Sequence, residues 1–166
     1  MRIMPEWGGE NYEGLYGDAD YKDKDVLDIG ADWGSTAYWL LGRGAKYILA
    51  VEIDPQLYRA LVHNLEQDNL IGRIDPQLGV SDSGSLEEIL AGHNFDIAKI
   101  DCEGCEELLI DVSDEVFSRV KEYVIETHSD DIYDQIARKL AKNSYEIIRE
   151  QGSGVKVIHA CKKGVN

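Results

Sequence analysis

The sequence predicts an α/β protein: a doubly wound, mostly parallel sheet that ends in an antiparallel hairpin. Three observations carry this. Short Val/Ile-rich runs at Asp25–Gly30, Tyr47–Ile53, Phe95–Asp101 and Tyr123–Thr127 alternate with helical patterns. Runs of that length and composition suit strands covered on both faces. A glycine-bearing turn, Asp28-Ile29-Gly30-Ala31-Asp32-Trp33-Gly34-Ser35-Thr36, links the first strand to the first helix, where open α/β sheets bind ligands. The alternation then breaks: two β-rich runs, Tyr145–Glu150 and Val155–Lys162, flank Gln151-Gly152-Ser153-Gly154, a link that suits a hairpin.

Taken in order, residues 1–24 are rich in Gly, Tyr and Glu without a clear period. They are expected as a loose N-terminal arm ahead of one domain over 25–166. Asp54-Pro55 is an N-cap with proline at the first helical position, and Leu57, Leu61 and Leu65 follow at i+4 spacing, the pattern of a helix with one apolar face. Gln77–Val80 is a weaker strand. Ser85-Leu86-Glu87-Glu88 fits a capping box, and Gly92 suits that helix's end. Ser129 or Asp130 can cap a helix that carries Ile132, Ile136 and Leu140 on one stripe. There is no internal repeat and no interdomain linker.

At 166 residues the chain is large enough for one self-supporting core. Lys+Arg 17 against Asp+Glu 32 leaves a net charge of −15, which opposes polyphosphate and anionic lipid. No nucleic acid and no membrane partner is therefore expected. The start lacks the apolar core of a signal peptide, and no run reaches the roughly 18 apolar residues of a membrane span. Three cysteines, an odd number, are expected as reduced thiols. Together these features suit a cytoplasmic protein; oligomeric state is not encoded in them.

The glycine turn narrows the ligand. A dinucleotide fingerprint needs Gly-x-Gly-x-x-Gly, yet counting from Gly30 the required positions hold Asp32 and Ser35. The pattern present is Gly-x-x-x-Gly beside Asp28 and Asp32. Two carboxylates repel a pyrophosphate but suit an ammonium and a sulfonium, which favours S-adenosylmethionine over a nicotinamide dinucleotide. Glu52 follows Gly30 by 22 positions at a strand end, placed to accept the two hydroxyls of a ribose. The alternative for Glu52 is a solvated strand-end carboxylate.

Three segments, Val26–Trp39, Ala50–Pro55 and Lys99–Glu106 (KIDCEGCE), stand in the order and spacing of the FkbM-type methyltransferases. Glu126-Thr127-His128 resembles that family's later Glu-x-His element. The resemblance implies a Rossmann-like, seven-stranded fold with its last strand antiparallel, and S-adenosyl-L-methionine as cofactor. It implies O-methylation of a hydroxyl on a small-molecule or sugar acceptor. By position, Asp28, Gly30, Ala31, Asp32, Gly34 and Ser35 are to hold the methionine end. Glu52 is to take the ribose, Ile53 the adenine face, and Ser81 and Asp82 the adenine amine.

Asp28, Glu52, Asp101 and His128 all fall at or just past the C-terminal ends of predicted strands, so they are expected to line one crevice. Asp101 and Glu103 are expected near the transferred methyl. His128 leads as general base because imidazole titrates near neutrality, with Glu103 second; a helix-capping or loop histidine is the plainer reading of His128. Lys99 is expected to pair with Glu103 or Glu126. Cys102-x-x-Cys105 with His159 and Cys161 lacks the second closely spaced cysteine pair of a zinc site, so no metal is assigned. Asp101, Glu103, Glu106 and Glu107 offer oxygen ligands for a hard divalent cation, but read more simply as a solvated acidic helix start. Two rival functions are a nicotinamide-dependent oxidoreductase and a cofactor-binding module that no longer catalyses.

Overall fold

The computed structural model describes residues 11–80, 82–152 and 155–164. Seven strands form one sheet in the order β3-β2-β1-β4-β5-β7-β6, the expected doubly wound class with its antiparallel hairpin. The chain divides into two compact units, Met1–Val80 and Ser81–Asn166.

In the first unit, β1 (Asp25–Ile29), β2 (Tyr47–Glu52) and β3 (Ile74–Leu78) are parallel. Four of the five β1 residues are buried: Val26, Leu27 and Ile29 join the core, and Asp28 is buried with them. β3 carries Pro76, a residue without an N–H to donate, and it takes the sheet's edge. Helix α2 (Ser35–Gly42) follows β1, and α3 (Pro55–Gln67) follows β2. The Asp54 carboxylate accepts from the amides of Gln56 and Leu57 at 2.6 and 3.1 Å, and Leu61 and Leu65 are fully buried.

Residues 11–24 are not loose. Helix α1 (Tyr12–Tyr16) opens them, and Tyr16, Ala19 and Tyr21 are buried. Tyr21 and Tyr16 set their rings edge-on to Trp39 of α2, with centroids 5.5 and 6.4 Å away. Aromatic rings gathered on one indole need no helical period, so the sequence pattern gave no sign of them. Residues 1–10 of the expected arm lie outside the described residues.

In the second unit, α4 (Ser83–Gly92) and β4 (Ile97–Ile100) precede a 3₁₀ turn at Cys105–Ile110 and α5 (Asp114–Phe117). Then come β5 (Glu122–Thr127), α6 (Asp130–Lys142), β6 (Tyr145–Gln151) and β7 (Lys156–Lys162). β4 and β5 are parallel, while β7 is antiparallel to both β5 and β6. Phe117 and Tyr123 stack and Tyr145 sets its ring edge-on to both, and both tyrosine hydroxyls donate to the Phe117 carbonyl at 2.9 and 3.1 Å. Ser129 caps α6 through the Ile132 amide at 3.2 Å.

Two expectations need correction here. The capping box begins at Asp82, three residues earlier than expected: its carboxylate accepts from the Ser85 amide at 2.8 Å, and the Ser85 hydroxyl takes the Asp82 N–H at 3.1 Å. Ser85 thus serves as the third helical residue. Cys102 and Cys105 are not free thiols; they form a disulfide with Cα atoms 5.5 Å apart. The Glu103-Gly104 pair between them takes positive φ, 55° and 121°, a sharp reversal that brings the two sulfurs together.

Candidate functional site

Asp28, Gly30, Ala31, Asp32, Gly34, Ser35 and Glu52, all expected to bind a cofactor, gather around the turn after β1. Gly30 (φ 79°), Asp32 (φ 54°) and Gly34 (φ 103°) all take left-handed backbone, which glycine adopts without strain. The amides of Gly30 and Ala31 both reach the Val51 carbonyl at 3.0 Å, so β2 holds the turn in place. Gly34 caps α2 with no side-chain hydrogen bond, leaving amides at that helix's start to face an anion.

Glu52 is only 6% exposed. One of its carboxylate oxygens accepts from the Asp32 amide and the other from the Asp54 amide, each at 2.8 Å. A carboxylate offers about four acceptor positions, so two amides leave capacity for a ribose diol. Asp28 is fully buried and accepts from the Thr36 hydroxyl at 2.6 Å. The Ser35 hydroxyl reaches Asp32 at 3.5 Å. Ile53 is 57% exposed, an apolar face open beside Glu52. Thr36 carries no mark in the sequence; its spacing of eight from Asp28 becomes legible only once the strand and helix are set side by side.

The second group lies at the ends of β4 and β5. The Glu106 carboxylate is fully buried and collects the Gly104 amide at 2.8 Å, the His128 amide at 3.1 Å and His128 Nδ1 at 2.8 Å. This fixes the imidazole: with Nδ1–H donated to Glu106, Nε2 is the free basic nitrogen. Nε2 lies 3.6 Å from Glu103 and 3.7 Å from Glu126. Burial lowers the His128 pKa, but the hydrogen bond and charge of Glu106, joined by Glu103 and Glu126, outweigh it and leave the pKa above the ordinary imidazole value.

Asp101, Glu126 and His128 each bring one donor atom within 4.8 Å of the others, so this trio is also able to hold a divalent cation. Lys99, 1% exposed, lies 3.8 Å from Asp101, two residues further on and just past the end of β4.

The structure thus brings Asp28, Gly30, Ala31, Asp32, Gly34, Ser35 and Glu52 around one turn, and Asp101, Glu103 and His128 into a second cluster. Asp82 spends its carboxylate on the α4 cap, and Ser81 lies outside the described residues. In the sequence Glu106 is one residue of an acidic run; its role as the partner of His128 joins positions 22 apart and has no local signature.

No protein-family model matches the chain, so the FkbM likeness rests on its motifs alone. Uncharacterized protein 65 of Sulfolobus islandicus filamentous virus is 36% identical over 98 residues, covering 59% of this chain and 57% of that protein. The ribosomal protein L11 methyltransferase of Geobacter sp. is 32% identical over 87 residues, covering 52% of this chain and 27% of that enzyme. The chain therefore spans well under two thirds of either relative.

Among solved structures, a protein of the NADB-Rossmann superfamily from Streptococcus agalactiae covers 100% of this chain and 72% of its own, at 20% identity and TM-score 0.70. Streptococcus pneumoniae Sp1610, solved in complex with S-adenosyl-L-methionine, covers 96% and 75% at 16% identity and TM-score 0.69. The M1A22 tRNA methyltransferase TrmK of B. subtilis covers 94% and 67% at 18% identity and TM-score 0.66. These likenesses establish the Rossmann-like fold that the chain shares with these proteins.

They also correct the expected partners. A small-molecule or sugar acceptor with no nucleic acid does not agree with similar proteins that act on tRNA or on a ribosomal protein. Net charge sums the whole chain and does not report the surface an acceptor meets, which is why composition misled. Among the described residues no helix is long and apolar enough to cross a membrane. Uncharacterized protein 158B of Sulfolobus islandicus rod-shaped virus 1 is 32% identical over 117 residues, covering 70% of this chain and 68% of that protein, and the chain belongs to its family.

Proposed function

We propose that this protein is an S-adenosylmethionine-dependent methyltransferase whose acceptor is a cationic protein segment. The observation that carries the reading is Glu52, a buried acid tied by one oxygen to the turn after β1 and by the other to the start of α3. That acid suits a ribose, the uncapped start of α2 suits a carboxylate, and Asp28 and Asp32 suit an ammonium and a sulfonium. The donor set therefore fits this cofactor, which when bound supplies an electrophilic methyl group. A nicotinamide dinucleotide would place its pyrophosphate against the same two carboxylates.

The chain's own residues then have these roles. Glu52 orients the ribose and Ile53 covers the adenine. Glu106 holds His128 with Nδ1 protonated, so that Nε2 removes a proton from the acceptor as it attacks. Asp101 and Glu103 orient the acceptor. The cationic protein segment is favoured by the carboxylates of Asp101, Glu103 and Glu126 gathered around His128, together with the ribosomal protein L11 methyltransferases among the relatives, since opposite charge speeds and orients encounter. A lysine amine in such a segment must lose a proton before it attacks, which gives His128 its task. A hydroxyl acceptor is the second reading, favoured by the FkbM-type motifs at Lys99–Glu106 and Glu126–His128.

The test is turnover with methyl-labelled cofactor, offered ribosomal proteins and bulk tRNA in parallel. Label on protein, recovered as methyl-lysine after hydrolysis, is expected. Label confined to tRNA would overturn the acceptor class, and label recovered as a methyl ether or ester would transfer the reading to oxygen. Failure of S-adenosylhomocysteine to bind would overturn the whole assignment.

A further inference from the structure

We propose a divalent transition-metal site of the zinc type, formed by Glu122, His159 and Cys161 on the paired strands β5 and β7. It stands apart from the methyl-transfer residues and does not depend on the reading above. Glu122 and Cys161 are direct partners across the β5–β7 ladder, and His159 precedes Cys161 by two. Directly opposed residues and residues two apart share one face of a sheet, so the three side chains are side by side as a consequence of register alone.

Their contacts agree. Glu122 pairs with Nε2 of His159, and the Cys161 sulfur is 3.9 Å from the same nitrogen. One donor atom from each residue lies within 4.8 Å of the others. A carboxylate oxygen, an imidazole nitrogen and a thiol sulfur are the three donor types that zinc accepts together, whereas magnesium and calcium prefer oxygen alone. A zinc ion bonded to sulfur and nitrogen at ordinary lengths sets them roughly 3.6 Å apart, close to the spacing present.

An ion pair between Glu122 and His159 accounts for two of these residues but not for a thiol turned to the same nitrogen. The burial suits a bound ion with an entry path: His159 is 95% buried as a side chain, while Glu122 is 19% exposed and Cys161 is partly exposed. Glu146, the partner of Cys161 on the β6 side, adds negative charge at the same rung, and the fourth coordination position is left to water. The other two cysteines do not belong to this site. They are bonded to each other after the C-terminal end of β4, whereas Glu122 begins β5, which runs parallel to β4. The two places differ by about five residues along the strand direction, roughly 17 Å.

The test is a cobalt titration of the full chain, first stripped with chelator and kept free of reductant so that Cys102 and Cys105 stay joined. One equivalent of Co²⁺ is expected to bind with a thiolate-to-cobalt charge-transfer band, and Zn²⁺ should displace it. Cys161→Ser should lose the band, and Zn²⁺ should raise the melting temperature of the wild type but not of that variant. Glu122→Gln, at a partly exposed position, should weaken Co²⁺ binding at least about tenfold, because even outer-shell partners of a metal commonly contribute that much. No band in the wild type, or a band retained in Cys161→Ser, would overturn the site. Unchanged Co²⁺ affinity in Glu122→Gln would overturn the three-residue assignment.

Discussion

The turn after β1 and the cluster at the ends of β4 and β5 differ in what sets their geometry. Around the turn, backbone does the work: left-handed residues at 30, 32 and 34 and amides delivered to Glu52 and Val51 define the shape. In the cluster, one buried side chain, Glu106, sets the angle and tautomer of another, His128. Backbone-defined shape survives most single substitutions, while a side-chain pair is lost with either partner. The first region should therefore lose function gradually under mutation and the second abruptly.

The largest effect should come from the abrupt side. His128→Ala is expected to lower kcat by about 10²- to 10⁴-fold, the usual contribution of a positioned base, while S-adenosylhomocysteine affinity stays at the wild-type value. Calorimetry beside steady-state kinetics checks both halves; weakened cofactor binding would erase the contrast between the regions.

Glu52→Ala comes next. Hydrogen bonds to a charged group contribute about 1.5–3 kcal/mol, so S-adenosylhomocysteine affinity should fall at least about tenfold with circular dichroism unchanged. Affinity equal to the wild type would mean that the turn binds without its acid. Thr36→Val probes the same region through the fold: the Asp28 carboxylate loses a 2.6 Å hydrogen bond in a fully buried place, at a cost of about 1–3 kcal/mol. Urea unfolding would read that loss, and an unchanged midpoint would show that the bond contributes nothing net.

The smallest effect is a shift in pH dependence. Glu106, Glu103 and Glu126 overcome the effect of burial and raise the His128 pKa above 6.5, and only the neutral ring accepts a proton. The acidic limb of kcat/KM should therefore lie above 6.5. Glu106→Gln keeps an acceptor for Nδ1–H but removes the charge, so the limb should move to lower pH. A limb that stays in place would separate Glu106 from the base. The sign for stability is the reverse of that for activity: the raised pKa stabilises the fold below the unfolded value, and that contribution is lost as pH rises through the folded one.

The same division explains what was legible in the sequence. Asp54-Pro55, the Gly30–Gly34 turn, Ser129 and the 145–162 hairpin are local patterns, and each stands where its pattern placed it. Glu106 with His128, Thr36 with Asp28, and Trp39 with Tyr16 and Tyr21 are pairings across 8 to 23 positions. No propensity or periodicity marks such pairs, because each partner satisfies its own local rules without the other. The disulfide is an intermediate case: Cys-x-x-Cys was visible, but its closure depends on the positive φ of Glu103 and Gly104.

The place of β7 has a consequence for how the molecule assembles. Seventh in the sequence, it is sixth across the sheet, inserted between β5 and β6. Until it arrives, β5 and β6 each present an unpaired edge, and the β5–β7 contacts close a loop that contains all of α6 and β6. Non-local pairings of this kind form late, because the chain entropy is lost before contacts return it. Truncations at Ile158 and Ala160, both fully buried on β7, should therefore speed unfolding and leave the folding rate nearly unchanged. Kinetic φ-values near zero at Ile158→Val are expected; values near one would place the last strand in the folding nucleus.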